Sequence, residues 1–168
     1  MLSAPEPITA EHLTDAFSCG KPGLDLWLRT RALANQRNGF AAVMVAHEAN
    51  RIVGFYALAP TSILPTTMTR SLRTGQPPNP VPCLLLGQLA TDSRWAGRGL
   101  GTALLVDALR RSVRAAELIG GRALVVKAID DDAAAFWRRR GFLPSRDDAH
   151  VLFRSMGDIA AAVGGGRP

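Results

Sequence analysis

Three glycines at alternate positions, Gly97, Gly99 and Gly101, carry the clearest chemical signal in this chain. Glycine lets a backbone turn tightly and bring its N–H groups against a ligand with no side chain in the way. Behind them, from about Leu100 to Leu118, Leu104, Leu105, Ala108, Leu109 and Val113 recur at helical spacing. The glycines therefore stand at a helix start, where unbonded amides and the helix dipole favour an anion, above all phosphate. The spacing Gly-x-Gly-x-Gly differs from the dinucleotide fingerprint, and no Gly-Lys-Ser/Thr follows, so neither a Rossmann site nor a P-loop fits. Arg94 and Arg98 flank the turn, where they would attract the phosphates of a bound ligand.

The rest of the chain offers few reactive groups. His12, His47 and His150 show no metal-ligand spacing, and Cys19 and Cys83 are too few and too far apart for a four-ligand zinc site or a disulfide framework. No metal is expected, and both thiols are read as reduced. Tyr56, the only tyrosine, falls on an apolar strand and reads as a core or wall residue. No histidine or glutamate stands where it would announce a general base. Trp27 and Trp95 read as packing residues, and the acids Asp130, Asp131 and Asp132 read as the N-terminal cap of a short helix.

The elements that must position these groups belong to one domain, the usual arrangement for 168 residues. With 47% hydrophobic and 20% charged residues the chain can bury a core, which argues against disorder. No apolar run approaches the roughly 18 residues of a membrane span. The N-terminus lacks a basic stretch followed by an apolar one, so a cytoplasmic protein without membrane contact is expected. Twenty basic against 14 acidic residues give +6, and only Lys21 and Lys127 are lysine. Arginine's planar fork suits phosphate, although charge alone fits a solvated surface equally well.

The spacing predicts an amphipathic helix from Pro22 to Gln36. An antiparallel hairpin follows, from Ala42–Ala46 and Ile52–Leu58 around the turn Glu48-Ala49-Asn50-Arg51. Residues 60 to 82 hold six prolines and read as a long loop or edge excursion. Strands are expected at Cys83–Ala90, Ala123–Ala128 and His150–Arg154, with a short helix from the Asp130 run through Trp137 that stops at Gly141. The end of the chain, about 157–168, is read as a flexible tail. There is no internal repeat.

The run Leu89-Ala90-Thr91-Asp92 with Arg94-Trp95-Ala96-Gly97-Arg98-Gly99-Leu100-Gly101 behind it resembles the acetyl-CoA signature of the GNAT N-acetyltransferase superfamily, Arg/Gln-x-x-Gly-x-Gly/Ala. The resemblance implies an α/β fold, with a mixed, mostly antiparallel sheet flanked by helices and splayed between its fourth and fifth strands at the acetyl-CoA cleft. It also implies roles for single residues. The backbone of Leu89 and Ala90, with Thr91 beside them, would hold the pantetheine and polarise the thioester carbonyl. The amides from Gly97 through Arg98, Gly99, Leu100 and Gly101 to Thr102 would cradle the pyrophosphate. Asp131 to Phe136 would lie beside the pantetheine.

A narrower resemblance rests on Phe17-Ser18-Cys19-Gly20, Leu24-Asp25-Leu26-Trp27-Leu28, Ala32-Leu33-Ala34-Asn35-Gln36, Gly54-Phe55-Tyr56-Ala57-Leu58-Ala59 and Pro80 to Ala90. These segments are similar to GNAT toxins of type II toxin–antitoxin modules, the TacT and AtaT group. That likeness implies acetylation of the α-amino group of aminoacyl-tRNA, and a block of translation. It further implies a ribbon-helix-helix antitoxin, contact with operator DNA only through that antitoxin, and a homodimer. Arg29, Arg31 and Arg37, and the run Arg138-Arg139-Arg140, would then meet the tRNA. One position departs from the group: where those toxins carry Phe-Tyr, with the tyrosine as general acid to the leaving thiolate, this chain has Phe136-Trp137. An indole N–H is no acid of that strength. Two other readings therefore stay open, a GNAT enzyme acting on a small amine or a protein N-terminus, and a catalytically impaired acyl-CoA-binding regulator.

Overall fold

The computed structural model describes residues 1–164. Its strands are β1 (Glu6–Pro7), β2 (Ala42–Glu48), β3 (Arg51–Ile63), β4 (Val81–Thr91), β5 (Ala123–Lys127), β6 (Leu143–Pro144) and β7 (Val151–Ser155). Its α-helices are α1 (Pro22–Thr30), α2 (Ala32–Arg37), α3 (Leu100–Ile119), α4 (Asp131–Arg139) and α5 (Met156–Val163). The sheet order is β1-β2-β3-β4-β5-β7-β6, with the β1–β2, β2–β3, β5–β7 and β6–β7 pairs antiparallel and the β4–β5 pair parallel. The expected mixed, mostly antiparallel sheet with helices is present. Two compact units divide the chain, residues 1–59 with 87–108, and residues 60–86 with the chain from Leu109, so β3, β4 and α3 each contribute to both.

In the first unit, β2 and β3 form the expected hairpin, pairing Ala42 with Leu58 through to Glu48 with Arg51. Its turn residues Ala49 and Asn50 have φ of 50° and 66°, the left-handed pair that a tight right-twisted hairpin needs and that asparagine tolerates. The single helix expected from Pro22 to Gln36 is bent at Arg31 into α1 and α2. The bonds Arg31 N–H to Trp27 O and Asn35 N–H to Arg31 O persist across the bend, so the amphipathic face stays continuous. That face closes a core of Ile8, Phe17, Leu28, Ala32, Val43, Val45, Ile52, Phe55, Ala57 and Ala90. Trp27 stacks on Phe55 with ring centroids 6.0 Å apart, the packing role its sequence position suggested. Gly54 on β3 is required by α3: a Cβ there would lie 2.6 Å from Leu104 Cδ1 and 3.3 Å from Leu100 Cδ2.

In the second unit, the β4–β5 ladder runs from Leu84–Leu124 to Leu86–Val126, and β7 pairs antiparallel with β5 from Ala123–Ser155 to Lys127–Val151. The proline-rich stretch is more ordered than a loop. β3 continues into it as far as Ile63, and 3-10 turns at Pro65–Thr67 and Arg70–Arg73 follow. These turns deliver Met68 and Leu72 to a core with Val81, Cys83, Ala123, Val125 and Phe153. Arg122 fastens the second turn by donating to the carbonyls of Leu72 and Ser71 and to Thr74 Oγ1.

The expected flexible tail from about 157 is corrected: residues up to Val163 form α5. Ser155 Oγ caps that helix by accepting the Asp158 N–H at 3.1 Å, and Ile159 is completely buried. A cap and two buried apolar residues, Met156 and Ile159, suffice to hold an otherwise small-residue helix. Residues 165–168 of the expected tail lie outside the described residues. None of the described helices is long and apolar enough to cross a membrane.

Candidate functional site

The glycine turn lies in the first unit. Gly97 and Gly99 have φ of 75° and 81°, and no atom comes within 4 Å of a Cβ built on either. Both are glycine for backbone conformation and for an open face, since L residues at such φ are strained by about 1–2 kcal/mol. Gly101 differs: it is helical, and an added Cβ would make only ordinary contact with Thr91 Cγ2 at 3.7 Å. The first helical bond of α3 is Ala103 N–H to Gly99 O, at 3.0 Å. Arg98 N–H is taken by Trp95 O at 3.3 Å, but the amides of Leu100, Gly101 and Thr102 come before that first bond and have no carbonyl within the helix to accept them, which is the anion-receptive end of a helix. Thr102 is exposed and Leu100 buried at this end. Leu89 and Ala90 precede it on β4, Leu89 half-buried and Ala90 within the core.

The turn is held by an anion that sequence reasoning passed over. Asp92, 1% exposed, accepts N–H bonds from Ser18 and from Arg94, and pairs with the Arg94 guanidinium through Nε at 3.0 Å and Nη2 at 3.1 Å. The Arg94 side chain, reinforced by these amides, holds the Asp92 carboxyl below its ordinary range despite burial, and the same pair raises Arg94. Arg94 Nη2 also reaches Ala16 O at 3.3 Å. Nε and Nη2 of Arg94 are thus engaged in fixing the strand end that leads into the turn, while the side chain stays largely exposed. Arg98 lies with its Cζ 4.8 Å from the Trp95 ring centroid, a cation–π contact that fixes the next arginine. Tyr56 is fully buried and donates to the Asp107 carboxylate of α3, a structural position as expected.

The helix with the aromatic pair lies in the second unit. Asp130 caps α4 by accepting the Ala133 N–H at 2.8 Å, with Asp131 and Asp132 in the first turn. Asp131 pairs with His150 Nε2 at 2.7 Å, a contact across 19 residues. Trp137 is 8% exposed, and its ring meets Phe142 edge-on at 5.1 Å and Phe136 at 5.0 Å. Arg140, expected at a tRNA surface, folds back over its own helix. Its Nη1 donates to Phe136 O at 3.0 Å and its Cζ lies 3.5 Å from the Phe136 ring centroid. Burial, with the charge of Arg139 beside it, lowers the Arg140 pKa from the ordinary value. Arg138 and Arg139 are exposed, as are Arg29, Arg31 and Arg37 in the first unit.

A further cluster joins histidines that no spacing connects. His12 Nε2 and His47 Nε2 reach the same Glu6 oxygen at 2.9 and 2.7 Å, close enough together for one cation. Their other nitrogens face backbone donors, Thr9 N–H on His12 Nδ1 and Asn50 N–H on His47 Nδ1. An amide can only donate, so both rings carry their proton on Nε2 and both donate to Glu6. Those bonds, from His12 first and then His47, lower the Glu6 pKa. As it stands the cluster is a hydrogen-bonded fastening of the N-terminal segment to β2, with no lone pair directed at a metal.

The acetyltransferase (GNAT) domain model matches residues 39–144, which draws on both units. The chain is 43% identical over 162 residues to the tRNA-acetylating toxin of Mycobacterium tuberculosis, covering 96% of this chain and 97% of that protein. Its fold is similar to that of AtaT complexed with acetyl-methionyl-tRNAfMet, with a TM-score of 0.87, 24% identity, and 96% of this chain and 99% of that one covered. AtaTR bound with AcCoA gives a TM-score of 0.82 at 25% identity, over 96% of this chain and 97% of that one. The domain match over most of the chain, together with a near full-length relative at 43% identity, establishes that this chain belongs to the GNAT acetyltransferase family.

Proposed function

We propose that this protein transfers the acetyl group of acetyl-CoA to the α-amino group of an aminoacyl-tRNA, and so acts as a toxin that blocks translation. The observation that carries this reading is the near full-length identity to a tRNA-acetylating toxin, in a chain that keeps an open glycine turn at the start of α3. The amides of Gly97, Gly99, Leu100, Gly101 and Thr102 hold the pyrophosphate, and Leu89, Ala90 and Thr91 of β4 hold the pantetheine and the thioester carbonyl. Asp131 and Phe136 lie along the pantetheine. The arginine excess, with Arg29, Arg31, Arg37, Arg138 and Arg139 exposed, supports a polyanionic acceptor.

In the transfer, the neutral amine attacks the thioester carbonyl, the C–N bond forms, the C–S bond breaks, and the ammonium proton passes to water. An α-amino group titrates near 8, and an ester lowers it further, so no strong base is required. The leaving thiolate, at about 8.5, takes its proton from solvent where a tyrosine is absent. A ribbon-helix-helix antitoxin, operator contact through it, a homodimer and a cytoplasmic location complete the reading. The antitoxin and the DNA contact through it are supported by the likeness to AtaT, which is solved bound to the C-terminus of the antitoxin AtaR and as an AtaT–AtaR complex bound to DNA. The position of Trp137 favours a second reading, an acyl-CoA-binding regulator without turnover.

The deciding experiment offers labelled acetyl-CoA to a mixed pool of charged tRNA, with uncharged tRNA, free amino acids and peptides as controls. Label on charged tRNA alone is expected. Label on free amines or peptide N-termini, or on nothing while acetyl-CoA still binds, would overturn it in favour of the other two readings.

A further inference from the structure

Arg140 differs from Arg94 and Arg154 in having no anion beside it among the described residues, and from Arg122 in having a single oxygen acceptor. Arg94 has Asp92, Arg154 has Asp158 at 2.8 Å, and Arg122 has three oxygen acceptors. Arg140 is half-buried, yet its described partners are one carbonyl and one ring, both from Phe136. No carboxylate among the described residues pairs with it. Of the five guanidinium N–H groups, one on Nη1 donates to Phe136 O, and the guanidinium carbon rests over the Phe136 ring. A planar cation resting on a ring, with further N–H donors and a second cation at Arg139 next to it, can take a phosphate through two parallel N–H bonds.

We propose that Phe136 and Arg140 form a clamp for a nucleotide phosphate, with the ring fixing the guanidinium and the guanidinium binding the anion. The lowered Arg140 pKa agrees with a cation withdrawn from water in advance of its partner. The clamp rests on the acetyl-transfer reading only for the identity of its ligand, since both reactants there are nucleotides. The phosphate belongs either to acetyl-CoA or to the RNA backbone, and the two are separable.

The test compares wild type with Arg140→Lys, which keeps the charge but not the fork, and Arg140→Gln, which keeps a donor for the Phe136 carbonyl but not the charge. The probes are acetyl-CoA, its 3′-dephospho form, and a deacylated tRNA pool titrated with salt. Melting curves check that both variants fold. Both should lose about tenfold or more in affinity for one probe class, the usual size for a charge-assisted pair. A loss confined to acetyl-CoA, leaving the dephospho form unchanged, assigns the clamp to the 3′-phosphate. An equal loss on both forms assigns it to the pyrophosphate, and a loss on tRNA to the RNA backbone. In the RNA case Arg140→Gln should also lower the salt slope by about one. Affinities for all probes within twofold of wild type, with only the melting temperature moved, would mean a helix cap and overturn the clamp, as would a wild type that binds no probe. A wild type that binds them but acetylates nothing would instead remove the proposed function and leave the clamp standing.

Discussion

Gly99→Asp separates what the glycine turn does for the fold from what it does for the ligand. With φ at 81° and nothing within 4 Å of the added Cβ, the aspartate meets no steric clash, only backbone strain of about 1–2 kcal/mol. The protein should stay folded, with a melting temperature a few degrees lower. Binding is another matter. A carboxylate about 6 Å from a phosphate charge, at an effective dielectric of about 20, is repelled by roughly 3 kcal/mol, which is more than a hundredfold in affinity. Gly99→Asn is the control, nearly isosteric and equally tolerant of that φ but uncharged. Calorimetry with acetyl-CoA should give an Asp variant at least tenfold weaker than the Asn variant, and the gap should narrow with added salt. Equal affinities for the two, in folded proteins, would refute the placement of pyrophosphate against this turn.

Gly54→Ala should lower stability by about 1–3 kcal/mol in a denaturant titration, because the methyl would overlap Leu104 where that side chain is fully buried; no change would mean that α3 shifts freely over β3. Asp92→Asn should cost about 1–3 kcal/mol at pH 7 by weakening bonds to Ser18 and Arg94. Its pH dependence follows from the lowered folded pKa: the carboxylate's stabilisation is fully present above the unfolded value of about 3.9 and is lost as pH falls through the lower folded value. The variant's stability should therefore fall less than wild type's on acidification below about pH 5, and parallel acid curves would contradict the pairing. Trp137→Tyr should raise turnover tenfold or more if the missing hydroxyl limits the rate. It should also lower the melting temperature, since a smaller ring loses contact with Phe142. Unchanged turnover in a folded variant would show that thiolate protonation is not the slow step.

What could be read from the sequence was whatever is local. The β2–β3 hairpin, α3 and the capped start of α4 all declare themselves within ten or twenty residues, through apolar period, turn residues and an N-cap acid. The glycine turn was legible for the same reason, since its chemistry resides in the backbone and in spacing. β1 and β6, two residues each, are too short to carry a period, and they exist because β2 and β7 offer them a ladder. α5 was hidden by its alanines and glycine, which read as a tail unless one knows that Ile159 finds a core. The Glu6–His12–His47 cluster and the Asp131–His150 pair come from strand and helix pairings, and no linear spacing announces them. Arg94 is the instructive case: its partner Asp92 stands only two residues away, but a spacing of two does not show that the acid is buried and pairs with the arginine.

The substitution at Trp137 bears on where catalysis can come from in such a site. A general acid contributes about 10² to 10⁴ in rate, and that contribution is greatest when the leaving group is a poor one. A thiolate of pKa about 8.5 departs unprotonated at neutral pH with modest penalty, and an aminoacyl ester brings an amine that is already partly neutral. The chain's own burden then moves to holding two reactants together, where positioning alone can supply several kcal/mol. Trp137 suits that division: its indole packs against Phe142 and stiffens the end of α4. Phe136 beside it carries the stacked Arg140. On this account an aromatic position used elsewhere in the family for proton transfer serves here for rigidity. Trp137→Phe should then leave turnover nearly intact, whereas Trp137→Ala, which leaves a cavity beside Phe142, should lower it together with stability. A Trp137→Phe variant that folds as wild type but loses turnover by a hundredfold would show that the indole N–H itself takes part in the reaction.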